Sequence, residues 1–287
     1  MKKLNAVLII LISTFASCAQ ENESSIPKIK SEEIIFYKLD PGSTRIRREG
    51  PGMDELIEYN AEGKIIQVSV IELDETKNKN IYLLHERYFY EDNNLIKKEK
   101  IGYQTGEVYE ETSYQYQQNK LIRQEVKSID NGKEVLKQDG SFYSTYIYGD
   151  NTETEKFYGY NEEKKTFVLA YAAHKQFDAN KNLVQEKLED INGEIYEQSD
   201  LIYNKENKLI KTVKSLRSPS TTTYKYNKEG HITENIHESE GTIITTTYTF
   251  KYDTKGNWIE KKEAQTTNIK RQIQEPEYII KRNLTYY

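Results

Sequence analysis

Ahead of a series of polar loops, aromatic or apolar residues alternate with polar ones. Tyr88 and Tyr90, Tyr114 and Tyr116, Leu201 and Tyr203, Tyr224 and Tyr226, and Phe250 and Tyr252 share one side of a two-residue period, with Arg, Gln, Thr and Lys on the other. That period places successive side chains on opposite faces of an extended chain, so each segment predicts a half-buried β-strand. The loops that follow resemble one another. Tyr59-Asn60-Ala61-Glu62-Gly63-Lys64-Ile65, Phe177-Asp178-Ala179-Asn180-Lys181-Asn182-Leu183, Tyr203-Asn204-Lys205-Glu206-Asn207-Lys208-Leu209, Tyr226-Asn227-Lys228-Glu229-Gly230-His231-Ile232 and Tyr252-Asp253-Thr254-Lys255-Gly256-Asn257-Trp258 align on an aromatic followed by Asn or Asp. Tyr90-Glu91-Asp92-Asn93-Asn94-Leu95 and Tyr116-Gln117-Gln118-Asn119-Lys120-Leu121 are one residue shorter, and a degraded copy starts at Tyr148. Starts at 59, 90, 116, 148, 177, 203, 226 and 252 leave room in each interval for one hairpin and a return turn.

The motif has the chemistry of a hairpin tip. An Asn or Asp opening the loop can accept from its own backbone two residues on, and a Gly or Asn four positions after the aromatic supplies the left-handed residue that closes a type I turn with a bulge. Lys181 fills that left-handed slot in one copy, which predicts a different or strained loop there. Asn131-Gly132, Asn192-Gly193, Glu240-Gly241 and Ser218-Pro219-Ser220 join the opposite strand ends, and the two Asn-Gly pairs signal two-residue turns. Only residues 158–173 read equally as a strand pair or a short helix. The expected fold is all-β, an elongated antiparallel meander of repeated β-hairpins in a single or rolled sheet over residues 31–287. Its end strands lie near residues 33–38 and 278–287.

Composition agrees with a sheet. The 287 residues are 36% hydrophobic and include 24 Tyr, so the half-buried face must be built largely from tyrosine rings, and aromatics in that number exclude a disordered chain. The formal charge of −5 is made of both signs mixed along the chain; no basic stripe offers a footprint for nucleic acid. One Cys and four His exclude a disulfide framework and a thiolate zinc cluster. There is no phosphate-binding glycine loop and no Gly-x-Ser-x-Gly elbow. His231 and His237 lie six apart with Glu234 between them, and read as solvated strand residues. The many carboxylates sit beside Lys, as cross-strand ion pairs on a wet sheet face do. No catalytic, metal or cofactor site is therefore expected. The feature with binding potential is the tyrosine ladder, and Tyr203, Tyr226 and Trp258, at strand ends near the tips, are the candidate ligand-contacting rings.

The first residues are an address. Lys2 and Lys3 precede an apolar run over residues 6–12, too short to span a bilayer and typical of a secretory signal. Phe15-Ala16-Ser17-Cys18 resembles the lipobox of bacterial lipoproteins, with Phe where Leu is usual. That resemblance implies cleavage after residue 17, acylation of Cys18, and a mature charge of −7 once Lys2 and Lys3 are gone. Residues 18–30 are polar and read as a flexible tether. Ala19 after the cysteine is similar to outer-membrane sorting signals, and Glu21 with Glu23 to acidic surface-export signals. The expected location is thus the outer membrane, lipid-anchored, with the body facing either the surface or the periplasm.

The repeats themselves resemble the YD-repeat (RHS-like) proteins, whose hairpins carry a Tyr-Asp-x-x-Gly core. Tyr252-Asp253-Thr254-Lys255-Gly256-Asn257 matches best and Tyr226-Asn227-Lys228-Glu229-Gly230-His231 next. The shorter copies also resemble variant MORN repeats of antitoxin-like proteins. Both resemblances imply a repeat sheet that serves as a shell, scaffold or carbohydrate-contacting surface. The functional expectation is a non-enzymatic, membrane-anchored lipoprotein that binds a polysaccharide or protein partner. An envelope immunity or antitoxin-like inhibitor is the alternative, and a glycan-active enzyme comes third.

Overall fold

A computed structural model describes residues 27–40, 45–49, 52–74, 76–137, 140–269 and 277–287. The expected signal peptide, Cys18 and most of the tether lie outside them. The described chain contains no helix. Its strands are β1 (Ile29–Leu39), β2 (Ile46–Arg47), β3 (Glu55–Tyr59), β4 (Ile65–Asp74), β5 (Lys79–Glu91), β6 (Asn94–Ile101), β7 (Val108–Gln117), β8 (Lys120–Asp130), β9 (Lys133–Val135), β10 (Phe142–Tyr148), β11 (Thr152–Asn161), β12 (Thr166–Phe177), β13 (Leu183–Glu189), β14 (Ile195–Tyr203), β15 (Leu209–Leu216), β16 (Ser220–Tyr226), β17 (Ile232–Ser239), β18 (Thr242–Tyr252), β19 (Trp258–Thr267) and β20 (Glu277–Tyr286). The ambiguous stretch at 158–173 is strand on both sides of a loop, in β11 and β12.

All neighbours pair antiparallel, and the sheet closes. β1 pairs with β3 on one edge and with β20 on the other, from Ser31 opposite Thr285 to Leu39 opposite Glu277. β2 and β9 are short additions beside β1 and β8, and the remaining eighteen strands form a continuous ring. This corrects the expected open meander or rolled sheet. The sequence marks both end strands, but only their mutual ladder turns the meander into a barrel, and a ladder between residues 238 to 257 apart has no local signature. Eighteen strands ~4.8 Å apart and tilted ~40° give, in circular section, a backbone radius of about 18 Å. Every extensive strand contact is between ladder neighbours, so the wall is one layer thick.

The repeat loops build one rim. In the five long copies the Asx side chain accepts from the backbone as expected: Asn60 Oδ1 takes the amides of Glu62 (3.1 Å) and Lys64 (2.9 Å), and Asp253 Oδ1 those of Lys255 and Asn257 (both 2.9 Å). The left-handed slot is Gly63, Lys181, Asn207, Gly230 or Gly256. Lys181 adopts φ 66° in a loop bonded like its sisters, so that loop is strained at one residue and not different in shape. The short copies are two-residue turns with both central residues left-handed, Asp92-Asn93 and Gln118-Asn119. At the other rim Asn131-Gly132 and Glu240-Gly241 make such turns too. Asn192-Gly193 does not: Asp190 caps a longer loop of the repeat type, accepting from Asn192 and Glu194, with Gly193 as its left-handed residue.

A hydroxyl staple accounts for the aromatic of the motif. Tyr90 donates to the carbonyl of Ile65 (3.0 Å), Tyr148 to Leu121 (2.9 Å), Tyr203 to Leu183 (3.0 Å) and Tyr226 to Leu209 (2.7 Å). Each acceptor is the first or second residue of the strand that leaves the preceding tip. Tyr252 instead meets Asn227 (2.8 Å) and His231 (2.9 Å), and Tyr286 meets Asp253 and Asn257. Tyr286 is thus a ninth copy of the aromatic, and where the other eight lead into a loop, Tyr287 donates its amide to the carbonyl of Lys28 (3.1 Å). Nine tips ring this rim, eight made of loops and one of the two strand-wall ends.

Candidate functional site

Register assigns the two faces of the wall. Tyr88, Tyr114, Tyr146, Tyr171, Tyr224, Tyr248 and Phe250 lie on one, with the carboxylates and amines that alternate with them along the ladders. Their ionic side chains are well covered, as at Glu86 (15% exposed) and Lys175 (23%), whereas Lys225 and Lys251 on the other face are 70% exposed. The ring-bearing face is therefore the concave inner one. The outer face carries Thr221, Thr223, Thr245, Thr247 and Thr249 and a mesh of ion pairs, including Arg87 with Glu99 (2.7 Å), Lys97 with Glu99 (2.8 Å), Lys225 with Glu234 (2.7 Å) and Lys251 with Glu260 (2.7 Å).

On the inner face, charges run across the strands in matched pairs. Lys98 holds Glu86 (2.7 Å), Lys100 holds Glu110 (2.8 Å), Lys175 holds Glu153 (2.8 Å) and Lys214 holds Glu197 (3.1 Å). At the closing seam Arg282 pairs with Glu32, which also accepts the Tyr59 hydroxyl. Burial pushes the Glu86 carboxyl up, but bonds from Lys98 and Tyr88 outweigh it and hold it below the ordinary range. Glu186 is raised by burial, with Lys175 only partly relieving it and Glu155 and Glu197 adding to it. Burial also lifts the phenols of Tyr114, Tyr148 and Tyr171 to about 12. All three hydroxyls are neutral throughout the physiological range; Tyr148 donates to Leu121, while Tyr114 and Tyr171 are suited to donating to polar ligands.

Two ring clusters line the inside. Phe157 lies between Phe142 (5.0 Å) and Tyr171 (4.9 Å, stacked). Near the repeat rim, His231 stacks on Phe250 (5.0 Å), Phe250 meets Trp258 edge-on (6.3 Å), and the Arg282 guanidinium covers the indole at 4.3 Å. A third cluster breaks the polar outer face: Tyr143 stacks on Tyr158 (4.6 Å) with Phe167 edge-on (5.2 Å) and Arg123 over the Tyr143 ring (3.9 Å). Among the described residues no group of His, Cys, Asp and Glu could hold a metal ion. His237 bonds Thr222 (3.0 Å), while His231 belongs to the ring cluster, so the two histidines serve different surroundings.

The three rings singled out from the sequence do not converge on one site. Tyr203 and Tyr226 sit in successive repeats with their hydroxyls committed to backbone carbonyls, which makes them staples of the rim. Trp258 does lie in a ring cluster. Its companions Phe250, Lys261 and Arg282 were missed, because their meeting depends on the register of β18, β19 and β20 and not on spacing within any one of them.

The chain matches no known protein family and no curated protein. Among solved structures it is similar to a porin-like protein from Bacteroides uniformis ATCC 8492, at 12% identity and a TM-score of 0.43 over 90% of this chain and 96% of that one. A porin-like protein from Bacteroides vulgatus ATCC 8482 gives 10% identity and 0.37 over 91% and 99%. The Tc holotoxin pore of Photorhabdus luminescens gives 11% and 0.34 over 78% of this chain and 15% of that one. Likeness of this degree carries neither activity nor location to this chain.

Proposed function

We propose that this is a non-enzymatic cell-envelope protein, tethered to the outer membrane through a lipid on Cys18, whose barrel offers its ring-lined inner wall to a polysaccharide or protein partner. The observation that carries the reading is the asymmetry of the wall. Tyrosines and clustered rings face inward, where sugar rings or a polypeptide segment can stack and accept from neutral phenols. The outer face carries ion pairs throughout, with Leu73, Tyr82, Ile147, Ile202, Ile243 and the Tyr143 ring cluster exposed among them. An Arg or Lys facing lipid at the bilayer midplane costs about 2–4 kcal/mol, and this face has many, so the arrangement favours a barrel standing in water beside the membrane. Such a barrel needs an anchor, and the lipobox-like segment supplies one; two or more acyl chains hold durably where one does not.

Polysaccharide binding by the detergent-solubilised full-length protein tests this. Phe250→Ala should weaken it about tenfold, as loss of a stacking ring does. Absence of binding to every glycan tried, together with protection of cells against a co-expressed toxin, would replace this reading with the immunity alternative.

A further inference from the structure

The inward cations follow a rule. Lys38, Lys98, Lys100, Lys175, Lys214 and Arg282 each hold a carboxylate within 4.0 Å. Among the described residues Lys261 has no carboxylate that close, and it shares this with Lys64, Lys120 and Lys208, which lie at the repeat rim over Tyr90, Tyr148 and Tyr226. Lys261 lies on the inner face of β19, opposite Phe250 of β18 and Ile280 of β20, with its ammonium 5.3 Å from the centre of the Tyr248 ring. Glu263, two positions along on the same face, acts on it only through space. Beside it stand the rings of Phe250, His231 and Trp258, and the Arg282 charge next to Trp258 is already engaged by Glu32. A covered ammonium in a ring-lined, water-accessible wall, without the acid its equivalents have, is a prepared anion site.

We propose that Lys261 and the rings around it form a subsite for a carboxylate-bearing sugar, a hexuronate unit of an acidic polysaccharide. The carboxylate takes the place of the missing acid at Lys261, and the apolar face of the pyranose lies against the rings. A simple anion would use only the ammonium; the adjoining rings select an anion carried on a flat, partly apolar ring. Burial already lowers the affinity of Lys261 for its proton, and a bound carboxylate would reverse that. The assignment rests on the polysaccharide reading above and specifies its ligand.

The test uses the solubilised full-length protein and the emission of Trp258, the single tryptophan of the chain. Galacturonate, glucuronate and mannuronate oligosaccharides are titrated alongside their carboxyl-reduced neutral counterparts. At least one uronate should bind about tenfold or more tighter than its neutral form, the value of a charge-assisted hydrogen bond. Lys261→Met should abolish the advantage of that uronate over its neutral form, and Lys261→Arg should retain it; an unchanged melting midpoint shows each variant folded. Equal binding of charged and neutral forms, indifferent to Lys261→Met, overturns the subsite and leaves glycan binding standing. No binding of either form overturns the subsite, and failure of every other glycan as well overturns polysaccharide binding itself.

Discussion

At the scale of single residues, the repeat loops obey rules that act within five positions. The Asx caps and left-handed slots were therefore legible in the sequence at all five long tips, and Lys181 was identifiable as the misfit. Replacing it with Gly should stabilise the protein by about 0.5–1 kcal/mol, the relief of a left-handed side chain less its bond to Asn151, measured by urea denaturation. The hydroxyl staples were not legible, since each joins one repeat to the last; Tyr226→Phe removes the bond to the Leu209 carbonyl and should cost about 1 kcal/mol. Glu186 gives a pH signature. Its folded carboxyl binds a proton more tightly than the ordinary value of 4.5, so the charged form is disfavoured in the fold and stability falls as pH rises through that window. Glu186→Gln should thus raise the melting midpoint at pH 7 relative to wild type and lose that advantage at pH 4.

The strands themselves were legible from alternation, and so was the side of each strand that bears the rings. Which rings become neighbours was not. A bulge in β12 opposite Phe157 and Tyr158 leaves Tyr171 inward and Leu169 outward, so Tyr171 stacks on the inward Phe157 while Tyr158 lies outside against Tyr143. Closure by β1 and β20 lies equally beyond local reading. It predicts that amides along Ile29–Leu39 and Glu277–Tyr286 exchange as slowly as those of the central ladders, whereas free edges would exchange quickly. Arg282→Ala leaves Glu32 buried without its partner at this seam. The expected loss is about 3–5 kcal/mol, with hydrogen exchange accelerated first in β1 and β20.

For the molecule as a whole, stability does not come from a conventional apolar centre. Few apolar side chains are fully covered, among them Val68, Val70, Ile101, Val126 and Ala173, and the wall depends instead on continuous ladders, stapled tips and paired charges. The proposed function puts membrane attachment on the N-terminal segment and not on the strands. Cys18→Ser should move the protein from the membrane to the soluble fraction, and retention of that variant would mean that the strands themselves contact lipid.

The ninth tip, where Tyr287 meets Lys28, makes the starting point of the repeats along the gene arbitrary with respect to the wall they build. Joining those two ends with an Asx loop copied from residues 253–257 and cutting the chain in any other tip of the same rim should yield a circular permutant with the same ladders. Nine equivalent starting points would then encode one barrel, and the present one differs chiefly in where its tether leaves the rim.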